Sequence, residues 1–135
     1  MREWSRSWNS SKQKRKQRKY RFNAPYHIKQ KLLSATLDKT LRKTYKKRSL
    51  PIRSGDEVVV MRGTHKGTMG KITKVNLKHM SVYVDNVKVK KVSGQEVNAK
   101  IDPSNLKIIK LNLDDKKRMK FMERKKELLS KTTKI

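Results

Sequence analysis

The chain of 135 residues carries 38 lysine and arginine side chains against 11 aspartate and glutamate side chains, a formal net charge of +27, and 33% of its residues are hydrophobic. Such an excess of one sign repels itself, so a compact state is hard to maintain without a polyanionic partner, and the length allows one small domain with extensions. The absence of cysteine, the three scattered histidines and the lack of a long apolar run exclude disulfides, zinc sites and membrane spans, and we expect a cytoplasmic protein without cofactor or metal.

Residues 1–21 are predicted to form an extended basic arm, because they offer no apolar period that could be buried. Residues 1–53 hold 18 basic and 2 acidic side chains, more than half of the net charge. Trp4 and Trp8 are four residues apart, and they either stack on bases or pack on the protein's own surface. The candidate phosphate-binding residues of the arm are Lys12, Lys14, Arg15, Lys16, Arg18, Lys19 and Arg21.

Residues 22–53 are predicted to hold two short helices and a linker. The first helix has a proline in its first turn, where the missing N–H is harmless. It places Ile28 and Leu32 on one face and points Lys29 and Lys31 elsewhere.

The second helix is predicted to begin near Thr36 or Asp38, both suitable N-caps. Leu37, Leu41 and Tyr45 then form one apolar stripe that packs on the protein, and the basic residues between them face phosphate.

Residues 54–113 change to a period of two, which indicates strands. Glycine, asparagine, aspartate and proline separate the apolar runs as turn signals. Such short strands favour a mainly β fold, a small SH3-like barrel, over an α/β unit. The predicted strands lie near 58–61, 72–75, 80–84, 87–89, 97–101 and 109–113.

Residues 114–135 are predicted to form a basic C-terminal helix and a tail. Asp114 and Asp115 stand at its start, where negative charge complements the helix dipole. A narrow apolar stripe docks the helix. The residues of this stripe are Phe121, Met122, Leu128 and Leu129.

The segment 55–75 is the most specific motif, because two valine-rich runs flank a loop with three glycines. It resembles the KOW motif, a strand–loop–strand unit of SH3-like barrels in RNA-associated proteins. Glycine permits positive φ and close approach of the backbone to RNA, and it also makes a tight turn without any ligand. Charge near the loop comes from Arg62, His65, Lys66 and Lys71. By position, the loop of the motif is matched by Arg62, Gly63, Lys66, Gly67 and Lys71.

Blocks outside the motif follow in the order found in one family. They lie at residues 22–27, 34–37, 48–53, 103–105 and 111–115. Together they make the chain similar to the universal KOW-motif protein of the large ribosomal subunit, number twenty-four in that naming scheme, in its archaeal and eukaryotic form. The resemblance covers roughly residues 12–129, and blocks 34–37 and 111–115 look more archaeal than eukaryotic.

This resemblance implies a structural constituent of the large subunit that binds the 5′ region of its rRNA early in assembly. It also implies a position near the exit of the nascent-chain tunnel, beside neighbouring ribosomal proteins, where a signal-recognition particle or translocon is a further candidate partner. The family's N-terminal block matches Asn23, Pro25 and His27. Basic residues within or between the blocks complete the candidate RNA-binding set: Lys29, Lys31, Arg48 and Arg53.

We expect no enzymatic activity, because the sequence shows neither a nucleotide-binding loop nor a set of catalytic residues. A phosphate loop of the Walker A type needs glycine at His65 and serine or threonine at Ile72. The adjacent acidic pairs, Asp56 with Glu57 and Asp114 with Asp115, are typical of a turn and a helix start, and we expect no small-molecule substrate.

A KOW-type transcription-elongation module, or another basic nucleic-acid-binding module, is the alternative interpretation. Elongation factors carry their KOW domain behind a larger folded domain, whereas here a charged arm precedes it. Single-domain DNA readers usually show a recognition helix or a finger, and neither is visible in this sequence.

Overall fold

The computed structural model describes residues 4–7 and 10–122. The helices are α1 (Lys14–Asn23), α2 (Tyr26–Leu32) and α3 (Lys39–Tyr45), followed by α4, whose described part covers 116–122. The strands are β1 (Ser34–Leu37), β2 (Ser49–Pro51), β3 (Glu57–Val60), β4 (Met69–Asn76), β5 (Ser81–Val84), β6 (Lys88–Lys90), β7 (Glu96–Asn98) and β8 (Leu106–Lys110). A 3-10 turn at Pro103–Asn105 precedes β8. Within the described residues, no helix is long and apolar enough to cross a membrane.

Six strands form one sheet in the order β2-β1-β8-β3-β4-β5, and β6 pairs with β7 in a separate two-stranded ribbon. Neighbouring strands are antiparallel except β1 and β8, which run parallel. The expected β-rich domain with a C-terminal helix is confirmed, but the sheet is not a closed barrel. The strands expected to complete the barrel, β6 and β7, bond to each other and stay exposed, and the bridge from Val82 to Ile101 ties their far end to β5.

The core lies on one face of this sheet and follows the expected period of two. Val58 and Val60 of β3 alternate with partly exposed neighbours, and Leu106 and Ile108 of β8 do the same. Strands β1 and β2 were not predicted, because three or four residues such as Ser34–Leu37 carry too short a pattern. Pairing with β8 decides the structure of β1, and pairing with β1 decides that of β2.

The second predicted helix begins where Asp38 caps it, and not at Thr36, which lies in β1. The Asp38 carboxylate accepts the Thr40 side-chain hydroxyl at 3.1 Å and the Thr40 backbone N–H at 3.5 Å. Leu41 and Tyr45 pack on the core as expected. Leu37 is buried in β1 rather than on the helix.

The N-terminal region departs further from the expectation. The extended arm predicted for 1–21 is helical from Lys14, because its lysine, arginine and glutamine residues are good helix formers even without an apolar face. In α2 the prediction holds for Ile28, which is half-buried, and for Lys31, which is exposed. It is wrong for the other two residues, because Lys29 is buried and Leu32 is 41% exposed.

A buried ion pair fixes α4 on the sheet. Asp56 is fully buried, and its carboxylate accepts two bonds from the Arg118 guanidinium, with Nη2 to Oδ2 at 2.7 Å. The backbone N–H groups of Arg53 and Asn112 each donate to the same carboxylate at 2.9 Å. Arg118 also donates to the Asn112 and Pro51 carbonyl oxygens. The turn before β3, the end of β8 and α4 therefore meet at one carboxylate.

Two further contacts hold the same helix. Met122 is buried in the core, as the predicted stripe requires. The Lys47 ammonium donates to the Phe121 carbonyl oxygen at 2.8 Å and lies 3.6 Å from the Phe121 ring centroid. The predicted stripe continues to Leu128 and Leu129, which lie outside the described residues.

Replacing Arg118 by methionine should lower the free energy of unfolding by about 3–5 kcal/mol, because it leaves a buried carboxylate without its cation. Chemical denaturation measures this change. The matched control is Arg53→Ala, which breaks an exposed ion pair to Asp115 at 3.2 Å and should change stability by less than about 1 kcal/mol. Equal effects of the two variants would contradict the role assigned to the buried pair.

The pKa of Asp38 is lowered from 3.8 to about 2. The main cause is the hydrogen bond from Lys107, 3.0 Å away, which outweighs desolvation, and the bonds from Thr40 add to it. A carboxyl with a lower pKa in the folded state binds its proton more weakly than in the unfolded state. Asp38 therefore stabilises the fold fully above pH 3.8 and loses this contribution as the pH falls toward 2.

Replacing Lys107 by methionine should raise the pKa of Asp38 toward 3.8, because the strongest donor is lost. An NMR titration of the side-chain carboxyl carbon measures it. Lys110→Met, which removes a looser partner of Glu57 at 3.7 Å, should leave Asp38 unchanged. An Asp38 titration that is the same in all three proteins would contradict this assignment.

Candidate nucleic-acid interface

Helix α1 exposes six basic side chains. It has no acidic residue in its first turn and no buried residue. Its basic side chains, like that of Lys12 before it, are exposed. On a helix, residues three and four apart are neighbours, so like charges there repel by about 0.2–0.5 kcal/mol per pair. The exposed cations of α1 are Lys14, Arg15, Lys16, Arg18, Lys19 and Arg21.

Helix α1 makes few contacts with the rest of the protein, and they involve Gln17, Tyr20 and Phe22. The Trp4 ring packs on Tyr20 with centroids 5.3 Å apart, which favours packing on the protein's own surface for this tryptophan. Trp8 lies outside the described residues. Gln17 donates to the Ser11 carbonyl oxygen. No acidic residue occurs from Trp4 to Leu37, so the nearest charges along the chain do not compensate α1.

The corner between α1 and α2 holds the next predicted group. Asn23 and His27 are exposed, and Pro25 is the N-cap of α2, with its carbonyl oxygen accepting from Ile28 and Lys29. Lys31, in the last turn of α2, is also exposed. The buried position of Lys29 sets it apart from the other predicted phosphate contacts.

The loop between β3 and β4 has a defined backbone. The Gly67 N–H donates to the Val60 carbonyl oxygen at 2.8 Å, and Val60 N–H donates to Thr68 at 3.0 Å. Gly63 and Gly67 have φ of +91° and +88°, a region that only glycine adopts freely. Nothing lies within 4 Å of where their Cβ atoms would stand. Both glycines are therefore required by the turn, and their open side is free for a ligand.

Gly70 serves a different purpose from that expected. A Cβ there would collide with Asp85 and Val84, so the glycine allows close packing of β4 on the turn after β5. The Asp85 carboxylate accepts from the backbone N–H of Lys71 at 2.9 Å, and Asn86 donates to the Met69 carbonyl oxygen at 2.7 Å. This turn holds the loop's exit in place.

The basic side chains of the loop and of its neighbours differ in solvent exposure and in charge compensation. Arg62, Lys66 and Lys71 are exposed, and His65 is half-buried. Arg48 is exposed after α3. The charge of Arg53 is partly compensated by Asp115, which makes it a weaker candidate than sequence reasoning gave.

Sequence reasoning missed two exposed aromatic residues at the corner, Phe22 and Tyr26. The signal that could have found them is the alternation of aromatic and basic residues in Tyr20-Arg21-Phe22 and Tyr26-His27. No group of three or more possible metal-ligating side chains occurs within residues 4–7 and 10–122. The site thus consists of cations, backbone and aromatic rings.

Comparison with known proteins gives one family. Residues 11–125 match the family described as ribosomal proteins L26 of eukaryotes and L24 of archaea. A curated relative, the large ribosomal subunit protein uL24 of Methanospirillum hungatei, is 49% identical over 74 residues. The aligned part covers 55% of this chain and 62% of the relative, so the chain spans less than two thirds of that protein's length.

Replacing Gly67 by alanine should lower the free energy of unfolding by about 1–3 kcal/mol, because the side chain is strained at this φ. Thermal and chemical unfolding measure it. Lys66→Ala, at the neighbouring exposed position, is the matched control and should leave stability within about 0.5 kcal/mol. A Gly67 variant as stable as the parent would show that the turn does not need this conformation.

Proposed function

The chain belongs to the family of eukaryotic L26 and archaeal L24 ribosomal proteins, and on this premise we propose that it is a structural, non-catalytic component of the large ribosomal subunit in the cytoplasm. Its ligand in this proposal is the large-subunit rRNA. The observation that carries the proposal is the acid-free segment from Trp4 to Leu37, in which α1 buries nothing and exposes six cations.

Helix α1 is the principal phosphate-binding element in this proposal. Its cations repel one another, and no core contact offsets that repulsion. Phosphates placed between the cations would turn this repulsion into attraction and release the counterions of the RNA. Binding and helix stability are then coupled, so α1 is more helical on RNA than in solution.

The β3–loop–β4 unit acts as the KOW motif, and the sheet around it as the SH3-like domain of the family. Gly63 and Gly67 leave the loop backbone open to a sugar–phosphate backbone, and Arg62 and Lys66 stand beside them. The exposed basic residues at the corner and in the loop complete the RNA-binding set, with Lys29 and Arg53 in secondary roles. Support comes from their exposure and from the family match.

The position within the subunit follows from the family in this proposal. The chain binds the 5′ region of the rRNA early in assembly and lies near the tunnel exit, next to other large-subunit proteins. A signal-recognition particle or a translocon would meet it there. The relative's printed name, large ribosomal subunit protein uL24, supports the subunit.

Sedimentation of native lysate in a high-salt sucrose gradient, with immunodetection of the chain, tests the proposed function. We expect the protein to migrate with the large subunit. Migration with RNA polymerase, or in the light fractions alone, would overturn the ribosomal assignment and favour a transcription-elongation module.

The salt dependence of RNA affinity tests the role of α1. With about 8 phosphates contacted, the slope of log affinity against log salt should be about −6 to −7. Exchanging Lys14, Arg18 and Arg21 for glutamine should reduce that slope by about 2–3 units, since each phosphate contact contributes about 0.7–0.9. Fluorescence anisotropy with a labelled rRNA fragment measures the slope.

The control variant exchanges three exposed lysines in and next to the β6–β7 ribbon for glutamine: Lys90, Lys91 and Lys100. This variant has the same net charge as the α1 variant. It should change the slope by less than about 1 unit. Equal losses would show that net charge, and not α1, determines binding.

A further inference from the structure

Two large aromatic side chains are exposed at the corner between α1 and α2. Phe22, in the last turn of α1, is 74% exposed, and Tyr26, the first residue of α2, is 63% exposed. Between them Ala24 is buried and anchors the corner to the body of the protein. Aromatic rings of this size gain most by being covered, so their exposure on an anchored turn points to a ligand.

The ammonium group of Lys29 lies near both rings. Its ammonium nitrogen lies 5.7 Å from the Phe22 centroid and 5.9 Å from the Tyr26 centroid, within the range of a cation–π attraction. Lys29 is only 7% exposed, so its ammonium group is held close to the body of the protein. One cation therefore orients two rings whose remaining surface faces solvent.

The surroundings of the rings are basic throughout. Arg21, His27 and Lys31 are exposed along the same stretch, and the acid-free segment extends on both sides. A ligand for this corner must combine negative charge with flat apolar faces. RNA has both, because its phosphates bind the cations while its bases stack on aromatic rings.

We propose that Phe22 and Tyr26, held by Lys29, form a stacking platform for unpaired bases of the RNA. The proposal rests on the proposed function and adds the kind of RNA that is recognised. Bases inside a duplex keep both faces on their neighbours, so only a splayed nucleotide of a loop, bulge or junction can reach the rings. The platform therefore selects unpaired RNA, whereas α1 binds phosphates of any strand.

Trp4 is not part of the platform. Its ring is already packed against Tyr20 at a centroid distance of 5.3 Å. Among the described residues, the Trp4–Tyr20 pair thus packs internally, whereas Phe22 and Tyr26 are open to solvent. This contrast supports a ligand-directed role for Phe22 and Tyr26 alone.

The test uses the full chain and two RNAs with equal numbers of phosphates: a hairpin with a loop of unpaired adenosines, and a blunt duplex. Phe22→Leu and Tyr26→Leu keep an apolar side chain but remove the ring. Each should weaken binding to the hairpin about 5- to 150-fold and leave duplex affinity within about 2-fold, given the usual strength of base–aromatic stacking. Anisotropy measures both affinities.

Conservative variants separate stacking from packing. Phe22→Tyr and Tyr26→Phe retain the rings and should retain the hairpin affinity. Phe121→Leu removes another exposed ring that also contacts a lysine, and it should change neither affinity. A hairpin with 2-aminopurine in its loop gives an independent signal: its fluorescence should fall on binding to the parent protein and not on binding to the Phe22→Leu variant.

The outcomes distinguish the two proposals. Steep salt dependence with unchanged hairpin affinity in both leucine variants would overturn the platform and leave the proposed function standing. Equal losses on hairpin and duplex would also overturn it, because the rings would then act on the basic surface in general. If the parent protein binds neither RNA, the proposed function fails together with the platform.

Discussion

The carboxylate of Asp56 joins three parts of the chain: the turn before β3, the end of β8 and helix α4. It is fully buried, and it accepts from the Arg118 guanidinium and from two backbone N–H groups. Because a buried charge is tolerated only when its bonds are complete, the turn before β3, the end of β8 and helix α4 can meet in one arrangement. The helix is then placed so that Met122 enters the core and Phe121 meets Lys47.

Most acidic residues of the described chain form ion pairs or hydrogen bonds within the fold, whereas the basic residues of α1 stay exposed. Five carboxylates form ion pairs, and their sites are Asp38, Asp56, Glu57, Glu96 and Asp115. Asp85 and Asp102 instead accept backbone N–H groups at turns. The folded body is therefore partly neutralised from within, whereas α1 remains uncompensated. This separation allows a chain with a net charge of +27 to keep a packed core.

The sequence was sufficient wherever local chemistry decides the structure. The valine alternation predicted β3, Asp38 was one of the two N-caps proposed for α3, and the loop glycines at 63 and 67 have positive φ. The family followed from the order of short blocks, and the family match over residues 11–125 confirms it. Most of the candidate site residues are exposed, as RNA contact would require, although their contact with RNA stays a prediction.

The sequence was insufficient wherever distant residues decide the structure. Asp56 and Arg118 are 62 residues apart, and neither residue type announces a buried pair. The pairing of β1 with β8 joins residues still further apart, Thr36 with Lys107, and it overrides a segment too short to show a period. Lys29 is buried on α2 with its ammonium group near two aromatic rings, which a helical face count does not detect. The open sheet likewise depends on β6 and β7 pairing with each other.

The strand order β2-β1-β8-β3-β4-β5 has a consequence for how the chain folds during synthesis. Strands β1 and β2 are close in sequence, as are β3, β4 and β5, so each set can pair as soon as it has been made. The two sets have no shared edge until β8 inserts between β1 and β3, and β8 is the last strand of the described chain. Non-local pairing of this kind is slow, because loop closure precedes any gain from contacts. The basic N-terminal segment is therefore synthesised, and available to RNA, well before the domain behind it is complete.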